Sequence, residues 1–231
     1  MSEWMTQGAV WGVLLTLGAF ALGTVFQRKT GRAWCNPLLL GTLFVILFLR
    51  LCRISCSEYQ ASSGPVSYLL LPATVSLAVP LYEQWESLRK HATAILSGIA
   101  AGVLVSVGAI LLLAWVFRLD REAVVSLLPK SVTTAIGTDV SAELGGIPAL
   151  TTAVIILTGI FGNLSAQAVC AWFHITDPVA RGVGIGSASH AIGTTRALEM
   201  GPVEGAMSSL SIAVAGILTA LLCPLAVNLL T

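Results

Sequence analysis

Residues 178–200 read PVARGVGIGSASHAIGTTRALEM. The stretch carries Gly182, Gly184, Gly186 and Gly193, two arginines, His190 and Glu199, with Gly201 just beyond it. On either side lie long runs without a charged residue, 147–173 and 205–231. Two further runs of this kind cover 4–27 and 92–117. Each exceeds the roughly 20 residues a helix needs to cross the hydrocarbon of a bilayer. A fifth run, 34–49, is shorter and ends at Arg50, whose long side chain can snorkel to the interface, so a helix through Ile54 is expected.

The whole chain agrees with its spans. Of 231 residues, 56% are hydrophobic and only 10% charged, whereas soluble domains carry about 25% charge. A core of this size cannot hide so much apolar surface from water; a bilayer can, because lipid is then the solvent of the outer face. The expected class is an all-α integral membrane protein, a polytopic helical bundle in the cell's inner (cytoplasmic) membrane. The first run lacks a basic n-region and a small-residue cleavage site, and Arg28, Lys29 and Arg32 follow it, so it reads as a span with a cytoplasmic 27–33 loop and an outside N-terminus. A net charge of +1, with no basic stripe interleaved with aromatics, gives no reason to expect nucleic acid.

Two segments are neither good spans nor ordinary loops. One is the glycine-rich 178–200; the other is 66–82, VSYLLLPATVSLAVPLY, apolar but holding Pro72 and Pro80, each of which removes a helical hydrogen bond. A shift of 111 residues carries Pro37 onto Pro148, 66–82 onto 177–193 and 92–117 onto 203–228. Paired interrupted segments in matching halves point to a transporter's midplane site. The expected organisation is two repeats in inverted orientation with broken or re-entrant helices. Residues 1–117 form the first repeat and scaffold, and 118–231 the second, with the substrate site.

The second half carries the polar chemistry. DREAVVSLLP (120–129) is amphipathic, and KSVTTAIGTDVSAELGG (130–146) is rich in Ser, Thr and Gly between membrane spans. Such a stretch survives in lipid only where it lines a cavity or packs inside protein. A carboxylate substrate is expected where 130–140 and 186–196 meet. There Ser131, Thr133 and Thr134 offer hydroxyls at a half-helix N-terminus, Gly193 a close backbone approach and Thr194 a further hydroxyl. His190 can donate a hydrogen bond or carry a coupled proton. Asn163 is a candidate from the facing helix. Arg196 either meets the substrate or pairs with Glu199 three residues on. Asp139 and Glu143, at i and i+4, form either a coupling pair or an exposed helix end. The bland reading of all these small polar residues is tight helix packing.

Other chemistries fail on spacing. TTAIGTD (133–139) lacks the Gly-Tyr-Gly of a potassium filter. Gly182-x-Gly184-x-Gly186 is no dinucleotide fingerprint, and neither Ser187 nor Ser189 sits in a nucleophile elbow. The cysteines, at 35, 52, 56, 170 and 223, read as small packing residues; Cys52 and Cys56 have a ligating spacing but no nearby histidine. No enzymatic activity, metal or cofactor is expected.

LPKSVTTAIGTDVSAELGGIPALT (128–151), TGIFGN (158–163), DPVARGVGIGSASHAIGTTRALEMG (177–201) and EGAMSSL (204–210) together resemble the LrgB/CidB/YohK family of bacterial membrane proteins. The plant plastidal glycolate/glycerate translocator contains a related part. The resemblance is dense over 120–224 and extends to 60–119 through LLLPATVSLAVPLY, with Ala135 and Thr195 standing where the family pattern has proline and alanine. It implies one of two functions. The first is secondary transport of small monocarboxylates such as glycolate, glycerate, pyruvate or 3-hydroxypropionate. The second is a holin/antiholin-like control of murein hydrolase activity and lysis. It also implies a homodimer and a small membrane partner of the LrgA/CidA/YohJ type. The broken segments favour transport with a rocking or elevator step, since a holin-like pore needs only oligomerising helices.

Overall fold

The computed structural model describes residues 10–30, 37–69, 72, 75, 76 and 78–228. Arg32, Trp34 and Cys35, the start of the first run and part of 66–82 lie outside the described residues. Packing divides the chain into two compact units, Met1–Ser76 and Leu77–Thr231. Every element among the described residues is helical.

The first unit holds α1 (Trp11–Thr30), α2 (Pro37–Cys52), α3 (Cys56–Ser62) and α4 (Gly64–Tyr68). α1 closes on Arg28 and Lys29 in its last turn, and α2 is short, at 16 residues. Gly23 lets α1 lie against the backbone of Pro37, where a Cβ would come within 2.7 Å of the Pro37 carbonyl oxygen. α3 begins in a capping box: Ser55 Oγ accepts from the Glu58 amide at 3.2 Å, and the Ser55 amide donates to Glu58 Oε2 at 3.0 Å.

The second unit holds α5 (Ala78–Glu83), α6 (Trp85–Phe117), α7 (Arg121–Leu127), α8 (Thr134–Glu143), α9 (Pro148–Trp172), α10 (Pro178–Met200) and α11 (Pro202–Asn228). Three stretches are long and apolar enough to cross a membrane: Arg89–Phe117 within α6, and the whole of α9 and α11. Large apolar side chains stand exposed on these helices, among them Trp115, Phe161 and Leu221. Lipid, which takes no hydrogen bonds, suits such a surface. The boundary at Ser76/Leu77 falls inside the expected first repeat because α6 packs on α10 and α11; packing neighbours and repeat boundaries are separate properties.

α10 is the centre of the unit, packed against α11, α9 and α6. Its start is written in the sequence: Asp177 caps it by accepting from the Ala180 amide at 2.8 Å, and Pro178 occupies the first turn. At His190 the helix is interrupted, with φ 44° and ψ −143°. Before the break, Arg181 Nε donates to the Ile175 carbonyl at 2.7 Å, and Ser189 lies against Gly162. After it, Asn163 Nδ2 donates to the Ile192 carbonyl and to Thr195 Oγ1, both at 2.9 Å, and Arg196 bonds Gln167. On α11 the partners run from Glu204 (at Gly182) to Ser208 (at Gly186) before the break, and from Ser208 (at Thr194) back to Gly205 (at Leu198) after it. The chain direction reverses at His190.

Candidate functional site

The break is built by its neighbours. His190 is buried, and its Nε2–H donates to the Ile155 carbonyl at 2.9 Å. Gly159 makes room, since a Cβ there would stand 2.7 Å from His190 Cε1. Thr194 Oγ1 donates to the His190 carbonyl at 2.9 Å and accepts from Ser208 Oγ of α11 at 2.7 Å. A non-glycine residue at this φ costs on the order of 1–3 kcal/mol and persists only where the surroundings over-determine it; these three bonds do so. His190 and Ser187 sit level with the middle of two spans, opposite Gly159 of α9 and Gly102 of α6.

A second interruption faces the first. Between α7 and α8 the chain passes through Pro129, Lys130, Ser131 and Val132 without helical structure. Lys130 Nζ donates to Ser131 Oγ at 2.9 Å, and Ser131 is 3.3 Å from Ser106 Oγ in the middle of α6. A cavity of about 700 Å³ opens here, lined by Gly98, Gly102 and Ser106 of α6, by Lys130 and Ser131, and by Ser187 before the break. Another, of about 610 Å³, lies between α9 and the first half of α10, and Lys130 lines it too.

The expected site residues separate into groups. Ser131 lines the first cavity, while Thr133 and Thr134 form the N-terminus of α8, where Thr133 makes no side-chain cap bond. His190, Thr194 and Asn163 are engaged in the bonds that hold the break. At Gly193 a Cβ would come within 2.5 Å of Ser189 Cβ, so its smallness serves the same bend. Arg196 pairs with Glu199 at 2.6 Å and with Gln167, and it lines neither Lys130 cavity but a pocket of about 410 Å³ that also holds Arg181. Asp139 and Glu143 are exposed on α8. Lys130, Ser106 and Ser187 are the residues that sequence reasoning passed over. The available signal was a lone cation inside a polar stretch between membrane spans.

The model of the LrgB-like family matches residues 16–229. The chain belongs to the LrgB-like family. Proteins named antiholin-like protein LrgB from Bacillus mycoides, Bacillus cereus and Bacillus anthracis are each 33% identical to it over 221 residues, covering 95% of this chain and 96% of each relative. No solved structure matches the chain. The LrgB-like match runs through the first unit as well as the second, so the family relation is broader than the motifs of the second half.

Proposed function

We propose that this LrgB-like chain is a non-enzymatic, antiholin-like protein of the cytoplasmic membrane that restrains murein hydrolase activity and lysis. The name carried by its relatives supports this reading above the others. We infer further that it acts as a secondary carrier of small monocarboxylates of the glycolate, glycerate, pyruvate or 3-hydroxypropionate type, so that lysis responds to altered solute or proton flux. One observation favours the carrier as the molecular basis: the reversal of α10 at His190, level with the middle of α6 and α9. Irregular backbone at membrane depth belongs where it lines a cavity.

On this reading α10 is a re-entrant hairpin whose turn meets the interruption at 128–133, and 66–82 is its counterpart in the first repeat. The repeats 1–117 and 118–231, a homodimer, and a small LrgA/CidA/YohJ-type partner complete the proposal, with the second repeat as the moving part.

Two experiments test it. Deleting the gene is expected to advance lysis and raise murein hydrolase activity on zymograms; unchanged lysis refutes the antiholin-like role. In proteoliposomes, saturable and stereoselective glycolate or glycerate uptake that is lost in His190→Ala and Thr134→Val supports the carrier. Unselective dye release in its place supports a pore.

A further inference from the structure

Lys130 is a cation placed where cations are costly. Its neighbour Ser131 lies 3.3 Å from Ser106, and Ser106 stands eleven residues before Phe117, the last residue of α6. At 1.5 Å per residue that is about 16 Å from the end of the span. Ionisable groups at such depth face a cavity, pair with one another and mark ligand or ion pathways.

The partner that this rule demands is not supplied by the described residues. Among the described residues the ion pairs are Arg181–Glu204 and Arg196–Glu199, and Lys130 belongs to neither. Its ammonium donates a hydrogen bond to the neutral Ser131 hydroxyl. Asp177 lines the same cavity, but its carboxylate is held at the N-terminus of α10 by the Ala180 amide.

The surroundings match a small hydroxylated anion. Ser106, Ser131 and Ser187 place three hydroxyls around the cavity that holds the ammonium. The Ser187 proton is directed to the Val183 carbonyl at 2.7 Å, which leaves that oxygen as an acceptor for a ligand hydroxyl. Lys130 is also the charged residue among those lining both cavities; the others are Ala180, Gly184 and Ala188, a small-residue ridge along one face of α10. An anion bound at Lys130 is thus reachable from either side of that ridge. A lysine ammonium is a rotatable point charge, without the bidentate grip of a guanidinium, which suits a ligand that must also leave.

We propose that Lys130 is the anion-holding group of a binding site completed by Ser106, Ser131 and Ser187, which takes a small monocarboxylate bearing a hydroxyl. The proposal rests on the carrier reading for its choice of ligand, but binding does not require transport. The break at His190 shapes this site and does not itself hold the charge.

The test is equilibrium binding of radiolabelled glycolate to the purified full-length protein, alongside flux in proteoliposomes. Wild type is expected to bind, and Lys130→Gln to weaken binding by roughly tenfold or more, because the charge partner is lost inside a partly desolvated site. Lys130→Arg is expected to retain most of the affinity. Ser106→Ala, which leaves the cation in place, is expected to weaken glycolate more than the hydroxyl-free acetate. Absence of glycolate binding to wild type overturns the proposal. So does unaltered binding in Lys130→Gln, or in Ser106→Ala should Lys130→Gln fail to purify as a monodisperse protein. Binding that depends on Lys130 without any flux leaves the site standing and removes the carrier reading.

Discussion

Alanine placed at Gly182, Gly184 and Gly186 is expected to give opposite results within a single turn of helix. α10 crosses α11 at Gly182 and Gly186. A Cβ on Gly182 would stand 2.5 Å from the Glu204 carbonyl oxygen and 2.7 Å from Met207 Cβ; one on Gly186 would stand 2.7 Å from Ser208 Cα. Ordinary contact begins at 3.4 Å, so the shortfall is 0.9 Å at Gly182 and more than 0.7 Å at Gly186, where the Ser208 carbonyl oxygen lies closer still, and the obstacles are mainly backbone. Backbone cannot swing away as a side chain can, so the helices must separate and loosen the core that includes Val183, Ala206 and Met207. Overpacking of this kind costs about 1–3 kcal/mol. Alanine recovers roughly 0.5–1 kcal/mol of helix propensity, which leaves a net loss of up to about 2.5 kcal/mol at either site. At Gly184 a Cβ meets nothing within 4 Å, so only the propensity gain remains. The assay is the midpoint for thermal loss of monodisperse protein in detergent. Gly182→Ala and Gly186→Ala should fall several degrees below wild type, and Gly184→Ala should match or exceed it. Equal midpoints for Gly184→Ala and Gly186→Ala would refute the close crossing of α10 and α11.

Three further outcomes follow from the same unit. His190→Gly should be more stable than His190→Ala by about 1 kcal/mol, since both lose the bond to Ile155 but only glycine relieves the positive φ; chemical unfolding in detergent compares them. Thr194→Val should cost about 1–3 kcal/mol by stranding Ser208 and the His190 carbonyl, and a double-mutant cycle with Ser208→Ala should show coupling above about 0.5 kcal/mol. Arg196→Ala should shift stability by less than about 1 kcal/mol, since Arg196 and Glu199 are both partly exposed; a larger loss by thermal melt would contradict that.

Much of this was legible in the chain itself. Span length and charge-free runs are one-dimensional properties, because a bilayer demands about 20 consecutive apolar residues whatever the fold. The runs 92–117, 147–173 and 205–231 accordingly became the three long apolar helices. The start of α10 was readable too, since Asp177 and Pro178 act on the turn beside them. The interruption at His190 was announced by glycine density and polarity, although the residue at the turn is a histidine and not one of the glycines.

Tertiary structure alone decided which polar residues face one another. Gly159 to His190, Thr194 to Ser208, and Ser106 to Ser131 are neighbours through packing across separate helices. Periodicity along one helix cannot report such pairings, because they depend on how helices cross and turn. That is why Arg196, which looked in sequence like a cation for a substrate, is held by Glu199 and Gln167. It is also why Lys130, one charge in a polar loop, stands at the depth of Ser106 beside two cavities. The sequence determines that this chain suits a membrane and where its long apolar helices run. The return of α10 on itself, and the placing of a cation that meets no carboxylate partner among the described residues, are settled by long-range packing.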